Sequence, residues 1–152
     1  MSRQSVIPTE LLDLFTQAAS EIGGSGDHIP PVFREMKGQI VSYDLEVGML
    51  TCRFPVETRY QNPYGTMQGG MIAAAIDNTF GPLSVLVAPQ NVTRHMEIRY
   101  KRPITAEYKY ITVTATHHSR EDPYLELRAR VRTDTGELAA TANARHYILP
   151  GE

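Results

Sequence analysis

The stretch QNPYGTMQGGMIAAAIDN, Gln61 to Asn78, gathers the residue types that could do chemistry. A loop with Pro and Gly runs into the pair Gly69-Gly70. An Ala-rich apolar run follows, with one carboxylate, Asp77, set inside it. A helix beginning at Gly69 or Gly70 exposes unpaired backbone N–H groups and a partial positive charge. Glycine at those positions lets a ligand approach the backbone closely. A carbonyl oxygen that gains negative charge under attack would be held there, with the Gly70 N–H as the best donor. Such a donor is typically worth about 3 kcal/mol in the transition state. The plainer alternative is that the glycines only permit tight packing of helix on sheet.

Asp77 is the candidate base or nucleophile. Two mechanisms fit it: activation of a water, or direct attack through an anhydride. The structural alternative is an Asp held by hydrogen bonds to Asn78, Thr79 or a neighbouring strand. Asn62 and Gln68 are neutral amides that can position a carbonyl or a water, or else stabilise the loop through local backbone bonds. Gly70 and Asp77 share a helix face but lie about 10 Å apart along its axis. The Asp77 side chain leans back toward the helix start and recovers part of that distance. The remaining span is long for one reacting group. A dimer that sets Asp77 of one chain opposite the Gly70 end of another closes it.

The elements that would position these residues are legible as patterns. PTELLDLFTQAASEIG reads as a helix with Thr9 as N-cap and Gly23 as its stop. Its apolar stripe is Leu11, Leu12, Phe15, Ala18, Ala19 and Ile22. GGSGDHIPPVFREMKG is loop-like with room for a short helical turn. QIVSYDLEVGMLTCRFPV reads as two strands joined near Gly48. On the long helix, Met71, Ile72, Ala75, Ile76, Phe80 and Leu83 form an apolar face. Gly70, Ala73, Ala74, Asp77, Gly81 and Ser84 form a small, polar one, and Pro82 should kink or weaken the last turn. Four period-two stretches follow. Met96, Ile98 and Tyr100 mark the first; Ile111, Val113 and Ala115 the second; Leu125, Leu127, Ala129 and Val131 the third; Leu138, Ala140, Ala142, Ala144 and His146 the last. Short turns at SREDPY and DTGE make the last strands antiparallel neighbours. This order predicts an α+β fold, a long antiparallel sheet with one face on a helix.

The totals exclude several classes. A chain of 152 residues with 41% hydrophobic residues is expected to be one globular domain. A net charge of −2 and a pI near 6.2 give no reason to expect a nucleic-acid partner. The one cysteine, Cys52, excludes an intrachain disulfide and a Cys-based zinc site and reads as a small buried hydrophobe. The adjacent His117 and His118 make a poor metal ligand pair, because neighbouring strand residues point to opposite faces. His95 and His146 read as packed or exposed strand residues. The first ten residues have no apolar core of signal-peptide length, and no apolar run is long enough to suggest a membrane span. A cytoplasmic location is the expectation.

The order of elements together with NPYGTMQGGMIAAAID resembles the hotdog-fold acyl-CoA thioesterases, and most the phenylacetate-degradation branch. That branch has an Asn, a Gly three positions on, His-Gly-Gly and then a helical Asp. The matching positions are Asn62, Gly65, Gln68-Gly69-Gly70 and Asp77, with Gln68 in place of the usual His. The resemblance spans about residues 38 to 149 and leaves 1–37 as an N-terminal helix and loop extension of a single hotdog domain, 1–152. VTRHMEIRYKRPI and TDTGELAATANARHYIL resemble the family's strand after the helix and its terminal strand. The resemblance implies hydrolysis of an aromatic or medium-chain acyl-CoA to the free acid and coenzyme A. It implies no cofactor and no metal, coenzyme A entering as part of the substrate. It implies a homodimer that shares its sites between chains, assembled as a dimer of dimers. Thr93 falls where the family often has a small hydroxyl residue near the attacking water; as an isolated strand Thr it would be structural. Gly69 joins Gly70 in close contact with substrate. Arg94 and Arg120, with Arg99, Lys101, Arg102 and Arg145, are the cations available to the coenzyme A phosphates, or else a solvated strand face. Two other readings compete. A non-catalytic acyl-CoA-binding protein or sensor is kept open by Gln68. A hydroxyacyl dehydratase would place a catalytic His in the motif, and no His falls there.

Overall fold

The apolar positions of the alternating stretches end on one face of a single sheet, except Leu138, which a register shift pairs with the exposed Arg132 outside the core. The computed structural model describes residues 7–21 and 29–151. In chain order it contains α1 (Thr9–Glu21), α2 (Pro31–Glu35), β1 (Gln39–Asp44), β2 (Met49–Pro55), a 3-10 turn at Thr58–Tyr60, α3 (Gly69–Val87), β3 (Asn91–Tyr100), β4 (Tyr110–Glu121), β5 (Tyr124–Thr133) and β6 (Leu138–Ile148). The strands form one six-stranded sheet in the order β1-β2-β4-β5-β6-β3. Every neighbouring pair is antiparallel. Leu125, Leu127, Ala129 and Val131 are buried while Arg128, Arg130 and Arg132 face solvent. The connection through α3 carries the chain from β2 to the far edge, where β3 pairs with β6.

Helix α3 fills the concave face. Ile72, Ala75, Ile76, Phe80 and Leu83 are buried against the sheet, with Met71 partly so. By length and composition this helix could cross a bilayer (mean hydropathy 1.3), but its apolar side is covered by its own sheet. Pro82 lies inside the helix, which runs on to Val87. Its missing N–H leaves the Asn78 carbonyl without the usual helical donor. Ser84 departs from the expected polar face. It is 3% exposed, and its hydroxyl donates to the Gly81 carbonyl at 2.7 Å, which satisfies it inside the core. Cys52 is buried and free, and burial pushes its thiol up to about 12.

The N-terminal elements cover one end of α3. The Pro8 carbonyl accepts from the Leu12 N–H at 3.0 Å, so α1 is capped one residue before Thr9, which lies inside the helix. Leu11 is fully buried, and Leu12 and Phe15 pack against the core. Ile22 and Gly23 lie outside the described residues. The expected helical turn is α2. It seats Phe33 edge-on to Phe54 with ring centroids 5.8 Å apart. Gly38 fixes this seat, because a Cβ there would lie 2.7 Å from the Phe33 ring. Gly38→Ala is therefore expected to cost about 1–3 kcal/mol by overpacking, read as a lower urea midpoint. An unchanged midpoint would show that Phe33 has room to move.

Candidate functional site

The start of α3 leaves its first amides free. Gln68 occupies the N-cap position with extended backbone (φ −55°, ψ 138°), and its side chain makes no capping bond. Its backbone is fully used. The N–H donates to the Tyr60 carbonyl at 2.8 Å, and the carbonyl accepts from Met71 and Ile72 at 2.9 and 3.1 Å. The N–H groups of Gly69 and Gly70 follow at once and have no helical acceptor by position. The two glycines differ in their surroundings. A Cβ on Gly69 would meet the Tyr100 ring at 3.3 Å, and the Tyr100 hydroxyl donates to the Gly69 carbonyl at 2.8 Å. A Cβ on Gly70 would meet nothing within 4 Å. Packing accounts for Gly69 but leaves Gly70 facing open space.

Asn62 holds the loop that leads to this helix. Its Oδ1 accepts from the Tyr64 and Thr66 N–H groups at 3.0 and 3.2 Å, and its Nδ2 donates to the Thr66 hydroxyl at 2.8 Å. Gly65 turns the chain with φ +79° and donates its N–H to the Asn62 carbonyl at 3.0 Å. The Asn62 carbonyl oxygens are thus engaged within the loop.

Asp77 sits farther along α3 with an exposed side chain. The Thr93 hydroxyl donates to its Oδ1 at 3.1 Å. Thr93 also lies 3.3 Å from Nε2 of His146, whose Nδ1 is 2.7 Å from Oδ1 of Asn91. Asp77, Thr93, His146 and Asn91 form one connected polar chain at the edge of an apolar cavity of about 400 Å³. The cavity walls include Ile7, Phe15, Phe33, Val85 and Val92, from the N-terminal segment, α3 and β3. Among the described residues, Asp77 and His146 are its titratable members.

A β-bulge brings Thr93 to Asp77. Thr93 pairs with His146 and His95 pairs with Arg145, so Arg94 is the extra residue. Met96 and Ile98 pair with the buried Ala144 and Ala142. Strict alternation from them would put Arg94 on the inner face and Thr93 on the outer one. The bulge reverses the phase and turns Thr93 inward.

His146 is 2% exposed, with its ring edge-on to Phe80 at 6.3 Å. Burial lowers its pKa below the ordinary histidine value, and the Asp77 charge opposes that shift. The unfolded chain therefore binds this proton more readily than the folded one. The resulting stability is present above the unfolded value of 6.5 and is lost as pH falls through the folded pKa. The difference in melting temperature between wild type and His146→Met should accordingly shrink as pH drops from about 8 to 5. A constant difference over that range would exclude this linkage.

No family model matches the chain, and no curated protein matches it by sequence. Solved structures do match. The Escherichia coli PaaI protein from the phenylacetic acid degradation operon superposes with a TM-score of 0.77 at 16% identity, over 93% of this chain and 97% of that one. A candidate thioesterase from Ralstonia eutropha JMP134, related to phenylacetic acid degradation, gives 0.74 at 25% identity over 86% and 98%. A Streptococcus mutans protein bound to acetyl CoA gives 0.69 at 17% identity over 76% and 90%. The chain has the hotdog fold.

On this hotdog frame the basic residues fall into separate groups. Lys101 and Arg102 border a hollow of about 330 Å³ with Gly69 and Tyr100, beside the α3 start. Arg102 pairs with Glu137 at 2.7 Å. Arg94 and Arg145 line a groove of about 420 Å³ on the other side of β3 and β6. Arg94 lies over the Tyr147 ring at 4.9 Å, and Arg145 pairs with Glu126 at 2.5 Å. Arg120 stands apart at the end of β4. It grips Asp122 through two bonds of 2.6 and 3.2 Å, which hold that carboxyl below its usual range. The sequence reading missed His146 as a site residue. The available signal was its place in the inward register of the last strand.

Proposed function

We propose that the protein is an acyl-CoA thioesterase that hydrolyses an aromatic or medium-chain acyl-CoA to the free acid and coenzyme A. The observation that carries this reading is the placement of Asp77, bonded to Thr93, at the edge of an apolar cavity of about 400 Å³. A volume of that order suits a small apolar group. Phe15 and Phe33 in its wall suit a ring or a medium chain. The likeness to a PaaI protein and to a protein bound to acetyl CoA supports the same reading.

In this mechanism Asp77 accepts a proton from a water, whose oxygen attacks the thioester carbonyl carbon. The oxyanion forms opposite the free N–H of Gly70, with the Gln68 amide beside it. The intermediate then collapses, the C–S bond breaks, and the thiolate leaves and is protonated. Asp77 lines the cavity, whereas Gly69 borders the separate hollow with Tyr100. Among the described residues, Asp77 and Gly69 thus line different pockets. This separation supports a homodimer as the working unit, with Asp77 of one copy facing the α3 start of another. Strand β3 offers the surface for this contact. It ends the sheet, its outer edge has no partner strand among the described residues, and Val92 and Tyr100 on it are 49% and 52% exposed. Lys101 and Arg102 beside the helix start are the nearest cations for the coenzyme A phosphates.

Release of free thiol from a panel of aromatic and straight-chain acyl-CoAs tests the proposal. The expected outcome is catalytic release, fastest for acyl groups that fill the cavity. Stoichiometric binding without thiol release would favour the non-catalytic acyl-CoA binder instead. Gln68→Ala should slow release about tenfold, and Gln68→His should be tolerated, since both amide and imidazole can donate to a carbonyl. An unchanged rate for Gln68→Ala would leave that residue a loop role only.

A further inference from the structure

We propose that His146 is a positioning residue that sets, through the Thr93 hydroxyl, how firmly Asp77 is held. This deepens the reading of the same site, and its activity arm rests on that reading.

The hydrogen-bond inventory fixes the tautomer. The Nδ2 group of Asn91 donates to the carbonyls of Pro89 and Ser84 at 2.8 and 3.3 Å. Carbonyls only accept, so the amide orientation of Asn91 is set, and its Oδ1 faces His146. Nδ1 of His146 lies 2.7 Å from that oxygen and must carry the proton. In the neutral ring Nε2 is then a bare acceptor. It faces the Thr93 hydroxyl at 3.3 Å, while Asp77 Oδ1 faces the same hydroxyl at 3.1 Å. One hydroxyl proton serves two acceptors.

The two charge states of His146 resolve this competition differently. With the ring neutral, the Thr93 proton is shared between Nε2 and Asp77, and the carboxylate is held loosely and stays basic. With the ring protonated, Nε2–H donates into the Thr93 oxygen. The hydroxyl proton is then committed to Asp77. A carboxylate that accepts a committed hydrogen bond is a weaker base. Protonation of His146 thus weakens Asp77 as a base. Asp77 on α3 is the charged group facing His146 in this chain of bonds. From β3 it meets Asn91 and Thr93, and across β5 its register partner is the apolar Leu125. Arg145 and His95 pair with each other on the opposite face. The cavity adds no further titratable side chain among the described residues.

Imidazole nitrogen NMR on the full chain tests the arrangement without reference to turnover. The expected neutral form carries its proton on Nδ1, and Thr93→Val keeps that tautomer because Asn91 still accepts. Asp77→Asn should lower the His146 titration midpoint, since it removes the charge that raises it. Asn91→Ala should shift the tautomer toward Nε2–H. An Nε2–H form in the wild type, or a midpoint unmoved by Asp77→Asn, would overturn the proposal. The activity arm follows the acid limb of kcat on the best thioester. Asn91→Ala should lower kcat about fivefold with KM unchanged, the scale of one hydrogen bond. His146→Gln should abolish the limb that tracks the NMR midpoint. A limb unchanged in folded His146→Gln would also overturn the proposal. If no thioester is turned over, the proposed activity fails and the NMR arm alone decides the role of His146.

Discussion

Asp77→Asn is expected to lower turnover of the best thioester at least about a hundredfold, the usual scale for losing a general base. The substitution keeps size, removes the charge and turns one acceptor oxygen into an NH2 donor, so that residue 77 can no longer take a proton from water. Asp77 is exposed, its bond to Thr93 can be accepted equally well by an amide oxygen, and no core packing depends on it. The melting temperature should therefore stay close to that of the wild type, and binding of the acyl-CoA should persist. The loss should appear in kcat, since the carboxylate is used in the transition state and not in holding the substrate. Near-normal hydrolysis by the folded mutant would remove Asp77 from the mechanism.

The second large effect is loss and recovery by subunit mixing. Gly70→Pro deletes the proposed oxyanion donor in the first turn of α3, where the open space around Gly70 leaves room for a ring. Homodimers of Gly70→Pro and of Asp77→Asn should each be nearly inactive. In a two-fold dimer with shared sites, the mixed species holds one site with both defects and one with neither. Equal mixing with random exchange should then restore about a quarter of the wild-type rate. Circular dichroism of Gly70→Pro checks that α3 still forms. Exchange of well-folded subunits with no return of activity would mean that each chain carries a complete site.

Much of this frame could be read from the sequence because it rests on local rules. The period-two runs of β4, β5 and β6 have short turns between them, so alternation and antiparallel pairing followed directly. The glycine pair and the apolar spacing behind it put the start of α3 at Gly69 or Gly70, and it lies at Gly69. The centre of the site was less legible. Thr93 reaches the inner face through the extra residue Arg94, and a bulge has no signature in a strand read by parity. His146 looked like one more inward strand position. Its contact with Thr93 depends on the pairing of β3 with β6, strands separated along the chain by β4 and β5. The cavity was invisible for a similar reason. Its walls combine Ile7, Phe15 and Phe33 from before the sheet with Val85 and Val92 from after it. Ser84 shows the limit of helical spacing on its own: its hydroxyl closes on a carbonyl of its own helix and so can be buried at little cost.

In the proposed complex the acyl group of a thioester lies in the cavity beside Asp77 while its carbonyl oxygen meets the α3 start of a second copy. A crystal structure of Asp77→Asn with the best acyl-CoA bound tests this most directly. The expected structure has the acyl group among Phe15, Phe33 and Val85, residue 77 beside the carbonyl carbon, and the Gly70 N–H of another subunit about 3 Å from the carbonyl oxygen. An acyl group lodged outside that cavity, or a carbonyl with no helix start beside it, would contradict the account.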